Sequence, residues 1–421
     1  MPRTVHAAAI AALCAFAATL TTTAHAGTLT PPPGAPASTN KTLQEVEPRT
    51  PLANTIGTIT INQPGSYYLT DNLVSLDGIG INIQTSGVTL DLNGHTLNGF
   101  ATGNPAHHGI WVSGVSTGLP VVIKNGNIRA FDGDGINIPN GNAAVVIENV
   151  HVVDCNNGFK INCPVIMEKC IARDNAGTGI RFNGDAKSTV TKCIANRNGE
   201  HGIFGNNGTI RDSAAVLNAQ AGFKLLRDVI LIGCFAEQNA SGFEAGDRAA
   251  FDSCVAGFNA TDGFFAESLV VFTNCLASSN GGRGFRTNVA SVVSNCTSRL
   301  NDSDGFFVGN SSVITACTSF NNGREGFRIG FDCRVTDCNA DNNGRLVADG
   351  AGFRGSGGTT IDSCNATDND IGFVGGTGGL VIRCTAAGNT TNYNMAGTDH
   401  GAIISPAGSF TSTNAFANIS Y

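Results

Sequence analysis

A ladder of asparagines constrains the fold more than any other feature of this chain. Asn175, Asn198, Asn218, Asn239, Asn259, Asn280, Asn301, Asn322, Asn343, Asn369 and Asn389 recur in steps that are mostly 20 or 21 residues long. Each follows a cysteine by five residues except Asn218, which follows Ser213 at that distance. A fixed period of this length means one supersecondary unit stacked on itself. The unit also carries a glycine followed by Phe, as at Gly158/Phe159, Gly263/Phe264, Gly284/Phe285 and Gly305/Phe306, with Ile136, Ile180 and Ile203 replacing Phe in three copies. Short runs rich in Val, Ile, Phe and Thr, punctuated by Gly, Asn and Asp, read as strands and turns, and no helix-length apolar periodicity interrupts them.

Leucine-rich horseshoes need several regularly placed leucines, and propeller blades are about twice as long. The remaining architecture is all-β: a right-handed parallel β-helix, in which each strand pairs with its equivalent one coil later, about 4.8 Å away. Inward Phe side chains then stack along the lumen, at about 0.5–1.5 kcal/mol per pair beyond area burial. The asparagines bond the corner backbone, about 1 kcal/mol per satisfied bond. The glycine before each Phe is expected to take a positive φ in a tight bend.

The chain opens with Met1, Arg3 and His6, an apolar run from Ala7 to Leu20, and Ala24-His25-Ala26. That pattern reads as a secretory signal peptide over 1–26, too short to span a bilayer. Prolines from Pro31 to Pro51 make 27–54 an extended arm. The β-helix is expected over 55–392 and a closing segment, with Ile403, Ile404, Phe410, Phe416 and Ile419, over 393–421. The mature protein is expected to be secreted, periplasmic or at the cell surface, monomeric, and without a transmembrane segment. Thirteen cysteines remain after the signal peptide. In-register neighbours are poorly aimed for a disulfide dihedral, so buried free thiols are expected, with Cys155/Cys163 and Cys333/Cys338 as the off-ladder candidates for a bridge. No C-x-x-C occurs, which argues against structural zinc.

Before the ladder, Ile61 to Leu69, Val88 to Leu97, Val121 to Gly126 and Asp134-Gly135-Ile136 resemble the opening coils of bacterial secreted right-handed parallel β-helix repeat proteins of the pectate-lyase-like superfamily. The resemblance runs from Thr55 to Tyr421 and implies the fold; such folds host lyases, hydrolases, epimerases, adhesins and proteins without an activity. The Asn-Thr-Asp, Asp-Asp, Gly-His-Gly and Arg-Ile-Lys patterns of polygalacturonase-like enzymes are missing here, as is the Trp-x-Asp-His pattern of pectate lyases. Gly133-Asp134-Gly135 and Glu200-His201-Gly202 are the nearest echoes. Both fall at the turn position before Gly-Ile or Gly-Phe, which elsewhere holds Asn157, Thr178, Ala221, Ser241, Asp262, Arg283, Asp304 and Glu325 and reads as a tolerant, solvent-facing turn.

A second row says more about function. The residue after each inward Phe or Ile must point outward, and the row reads Asn137, Lys160, Arg181, Phe204, Lys224, Glu244, Phe265, Arg286, Phe307, Arg328, Arg354, Val374. Six of these twelve are cationic and three aromatic in a chain of net charge −7. Arg and Lys pair with carboxylate or sulfate, and aromatic rings stack on sugar faces. Lys224, Phe265, Arg286, Phe307, Arg328 and Arg354 are therefore candidates for binding an extracellular, acidic polysaccharide; the plainer reading is that long cationic stems cover and solubilise the sheet. Nucleic acid is not expected, given the negative net charge and the export signal. His151 and the His107-His108 pair read as ordinary satisfied histidines.

If the chain is an enzyme, a polysaccharide lyase acting on uronates by β-elimination is favoured over a glycoside hydrolase, which needs two opposed carboxylates that Asp132 and Asp134 do not supply. Lys160, Arg181 and His201 are the catalytic candidates and Asp134 the metal candidate, with calcium as the ion that neutralises the uronate. A non-catalytic structural or surface-interaction protein is the third reading. Two insertions, Gly344 to Gly350 and Ala186 to Thr191, lengthen single turns.

Overall fold

The structure, a computed structural model, describes residues 48–53, 57–76, 78–100, 103–113, 118–139, 144–405 and 412–420. The expected signal peptide, nearly all of the expected arm, and Phe410 and Tyr421 of the closing segment lie outside them. Among the described residues every regular element is a strand, and no helix is long and apolar enough to cross a membrane.

One coil shows the rule. Phe285–Val289, Val292–Ser294 and Thr297–Arg299 are its three strands, and all pair in parallel with the coils before and after. Phe264, Phe285 and Phe306 are Cα partners on one face, Phe272, Val293 and Ile314 on a second, and Ala277, Ser298 and Ser319 on a third. We call these the phenylalanine, valine and alanine faces. The strands are short because each ends at a residue in the left-handed region: Ala290 (φ 53°), Asn295 (φ 52°) and Leu300 (φ 55°) in this coil. For non-glycine residues that conformation costs on the order of 1 kcal/mol or more, and persists only where the surroundings fix it.

The glycine before each phenylalanine is therefore not the bend residue. Gly284 does not take a positive φ. A Cβ there would stand 2.0 Å from Ser298 Oγ, 2.7 Å from the Gly305 carbonyl and 2.9 Å from Asn301 Nδ2, so close approach of the corner excludes a side chain.

The asparagines supply the fixing. Asn280 Nδ2 donates to Asn301 Oδ1 (2.9 Å) and to the Ala256 carbonyl (3.2 Å), while its own N–H also donates to Asn301 Oδ1 (3.0 Å). Repeated from Asn175 to Asn389, this satisfies buried polar groups that would otherwise each cost about 1–3 kcal/mol. In the lumen, Phe223, Phe243, Phe264, Phe285, Phe306, Phe327, Phe353, Phe373 and Tyr393 stack with centroids 4.7–5.3 Å apart. Phe251 and Phe272 meet that stack edge-on at 5.5–5.8 Å. At the end of the stack the Tyr393 hydroxyl lies 2.8 Å from the Cys384 and Ile419 carbonyls.

All thirteen described cysteines are buried and free. Neither candidate bridge forms, because its members stand at different places in the coil. Cys155 occupies the asparagine position, its N–H donating to Asn175 Oδ1 at 3.0 Å, whereas Cys163 follows the strand Phe159–Ile161. Cys333 takes the place held one coil earlier by Ser312, and Cys338 belongs to the cysteine column with Cys317. The column closes on Asn418, whose Oδ1 accepts the Cys384 N–H at 2.9 Å. Of the two insertions, one bulges the strand Ile180–Thr191 between Asn183 and Ser188; the other extends the corner after Asn343.

Candidate functional site

Strand pairing puts the outward residues of the phenylalanine face in one continuous file. Lys160 partners Arg181, then Phe204, Lys224, Glu244, Phe265, Arg286, Phe307, Arg328, Arg354 and Val374 in register. Asn137 precedes Lys160, and the file continues to Trp111 and Asn82, two positions the row above did not include. From Lys160 to Val374 the side chains are half-buried, with Arg328 exposed.

Cations and rings interleave. Arg181 lies over Phe204 at 5.0 Å, Arg286 over Phe265 at 4.8 Å, and Arg283 and Arg328 meet Phe307 at 4.6 and 5.3 Å. Each contact is worth about 0.5–1 kcal/mol at such exposure. Beside Phe307 and Arg328 a groove of about 320 Å³ is lined also by Thr287, Asn310, Phe331 and Ser356.

The turn position beside this file is not a tolerant, solvent-facing one. Asp134 is 2%, Thr178 3%, Asp304 0% and Glu325 7% exposed. Its carboxylates neutralise part of the file: Arg354 meets Glu325 at 3.0 Å, Arg286 meets Asp262 at 3.7 Å, and Lys160 approaches Asp134 at 4.0 Å. Within the file Lys224 pairs with Glu244 at 2.7 Å. Arg181 and Arg328 have no carboxylate partner among the described residues, which leaves them the freest cations for an added anion.

Asp304 and Glu325 are equivalent positions on consecutive coils, and their carboxyls face each other between Arg283 (3.1 Å from Asp304) and Arg354. Burial, and then Glu325, push the Asp304 carboxyl up to about 6. Burial works against the Glu325 carboxylate too, but Asp304, a backbone donor, Arg354 and Arg324 outweigh it and hold it below its ordinary value. Among the described residues Asp304 Oδ1 and Glu325 Oε2 have no hydrogen-bond partner, so a proton shared between the two carboxyls would satisfy both. Nothing in the sequence marked this pair except the recurrence of Asp-Gly and Glu-Gly at the ladder period.

The catalytic candidates fall near one another. Lys160 and Arg181 are in register on adjacent coils, and His201 stands in the turn position two residues before Ile203. Burial lowers the His201 imidazole below its ordinary value, and its Nδ1 has no partner. Asp134 is committed elsewhere: Asn157 donates to its Oδ1 at 2.6 Å and Asn137 to its Oδ2 at 2.5 Å, while its N–H donates to His108 Nδ1 at 2.8 Å. Among the described residues no three His, Cys, Asp or Glu side chains converge on a point where a metal ion would sit. Asp132 accepts the Gly103 N–H at 2.7 Å.

Residues 58–211 match the family model described as a right handed beta helix region. Among solved structures the chain is similar to a pectate lyase (16% identity over 47% of this chain and 64% of that one, TM-score 0.35). It is similar also to a mannuronan C-5 epimerase A-module from Azotobacter vinelandii (12%, 85% and 91%, TM-score 0.40) and to a bacteriophage CBA120 tailspike protein (11%, 85% and 59%, TM-score 0.37). The chain thus spans 64% of the pectate lyase's length. No curated protein matches it. The coils, their parallel register and the family match together make this chain a right-handed parallel β-helix protein.

Proposed function

We propose that the chain binds an acidic extracellular polysaccharide along the outside of the phenylalanine face. The observation that carries this reading is the in-register file Phe265–Arg286–Phe307–Arg328, in which rings and guanidinium groups alternate at the strand spacing of about 4.8 Å beside a groove. Arg328 supplies a planar fork for carboxylate or sulfate, and Phe265 and Phe307 supply faces for sugar rings. The test is retention on immobilised pectin or alginate after Arg286, Arg328 and Arg354 are changed together to Ala. Retention should be abolished, and unchanged retention rejects the reading.

His201 favours a second reading, β-elimination on a uronate. Its imidazole is held neutral by burial, with an unpartnered Nδ1 near Arg181 and Lys224. A base there takes the C5 proton while the cations stabilise the charge on the carboxylate, and the electron pair forms the C4–C5 double bond and expels the glycosidic oxygen. Ultraviolet absorbance of the unsaturated product on incubation with pectate or alginate reads this out, and His201→Ala should remove it. Both readings place the protein outside the cell, which the amino terminus of the exported chain tests: it should begin at Gly27.

A further inference from the structure

We infer that the amino-terminal end of the same file is a subsite for a neutral sugar, built on Trp111. It rests on the glycan-binding reading of this face but on none of the cationic residues that carry it. Asn82, Trp111 and Asn137 are direct register partners on three consecutive coils, so their side chains emerge in one line that Lys160 then continues. Trp111 is half-buried. His108 stacks on the indole with centroids 4.7 Å apart and 28° between planes, which fixes the ring as a platform. Burial also lowers the His108 imidazole below its ordinary value, so the backing ring brings no positive charge at neutral pH.

The polar groups left over have the right chemistry for hydroxyls. The indole N–H has no hydrogen-bond partner among the described residues. Asn82 accepts from the Ser113 hydroxyl at 3.2 Å and keeps its amide donors free. Asn137, 4% exposed, uses its Nδ2 on Asp134 while its Oδ1 has no partner among the described residues. An aromatic plane flanked by amides, with the nearby carboxylate already spoken for by two amide donors, recognises a face of C–H groups ringed by hydroxyls. Asn82, Trp111 and Asn137 bring no cation to a sugar carboxylate. Trp111 and Arg328 are ten strand steps apart, about 48 Å at the usual spacing, so one polymer carrying neutral and acidic residues reaches both chemistries.

Trp111 is the only tryptophan of the chain, so the intrinsic tryptophan emission reports this subsite alone. Dextran, galactomannan and glucomannan oligomers are titrated into the full-length mature protein while emission is followed, and the same glycans are cast into native gels for affinity electrophoresis. At least one neutral glycan should shift the emission and retard the protein. Trp111→Ala, or Asn82→Ala should the first fold poorly, should weaken that retardation about tenfold without changing retention on pectin. The triple Arg286, Arg328 and Arg354 to Ala variant should show the reverse. No emission shift and no retardation with any of the three glycans, or equal retardation of the wild type and both single variants, overturns the inference, whereas loss of pectin retention by the triple variant alone speaks only to the acidic reading.

Discussion

The two ends of the phenylalanine face are built differently. Between Ala221 and Val374 the lumen position holds phenylalanine, the corner holds the asparagine ladder, and the outward file from Phe265 to Arg328 advances in equal steps of 21 residues. Between Ile81 and Val153 the lumen position holds Ile81, Ile110 and Ile136, and the asparagine place is taken by Phe131 and Cys155. The other two faces run together there in nine-residue strands, Val121–Arg129 and Val145–Val153. Where rings and amides repeat, coils keep to 20 or 21 residues except at the corner extended after Asn343, and outward side chains align with their charges interleaved. Where packing is aliphatic, coils vary in length and the file carries Asn82, Trp111 and Asn137 instead. The difference teaches that the internal ladder sets how regular the outer surface can be.

The largest expected effect breaks the regular half. Phe285→Ala removes a ring stacked on both Phe264 and Phe306 and touched edge-on by Phe272, and should cost about 3–5 kcal/mol in urea unfolding. Ile136→Val, the corresponding lumen position of the irregular half, should cost about 0.5–1.5 kcal/mol. Similar losses at the two sites would mean that the stacked rings add nothing beyond volume.

Next in size is the charge built into the regular half. The Asp304 carboxyl is raised to about 6 from an ordinary 3.8, by burial and by Glu325. Between those values the folded protein keeps a proton that the unfolded chain has released, so this group's contribution to stability falls as pH rises through that window, and its full cost is present above about pH 6. Glu325, held below its ordinary 4.5, works in the opposite sense and loses its contribution as pH falls from 4.5 through its lowered folded value. Asp304→Asn should therefore be more stable than the wild type at pH 7, by about 1–3 kcal/mol, with the gap closing towards pH 4. A gap independent of pH sinks the shared-proton account. The same protonation frees Arg283, which meets Phe307 in the file, so retention on pectin should strengthen between pH 7 and pH 6 in the wild type and not in the variant.

Some of this was legible in the sequence for a physical reason. A solenoid repeats its environments, so Asn280, Cys275 and Phe285 each had to recur at the coil period, and strand alternation then placed Arg286 and Arg328 outside. Three things were not legible. The left-handed corner residues are of any type, from Leu300 to Phe258 and Gln238, because neighbouring coils rather than intrinsic preference impose the conformation. The burial of Asp304 and Glu325 depends on the Arg283 and Arg354 side chains folding over them, which no spacing encodes. Trp111 escaped because its coil is longer than the period, although Gly109-Ile110-Trp111 has the same Gly-Ile-outward form as Gly135-Ile136-Asn137.

The smallest effect would move the boundary between the two halves. Cys155 is 4% exposed, and burial pushes its thiol up to about 12, so it is an unreactive filler at a place the next eleven coils give to asparagine. Its N–H already donates to Asn175 Oδ1 at 3.0 Å, the bond that every ladder asparagine makes to the next. What the thiol lacks is the amide that would donate a second bond to that oxygen and a third to a carbonyl of the preceding coil. Cys155→Asn should add one rung and raise stability by up to about 1 kcal/mol, read as a higher urea midpoint with an unchanged slope. Slower amide exchange should appear at Asp154 and Asn175 and not at Asn301. Because Phe131 holds the place one coil earlier, no ladder side chain on that side donates to the added amide oxygen, so the gain is confined to the amide's two donated bonds. A loss of stability would show that the ladder stops at Asn175 because the aliphatic coils are too differently shaped to carry it.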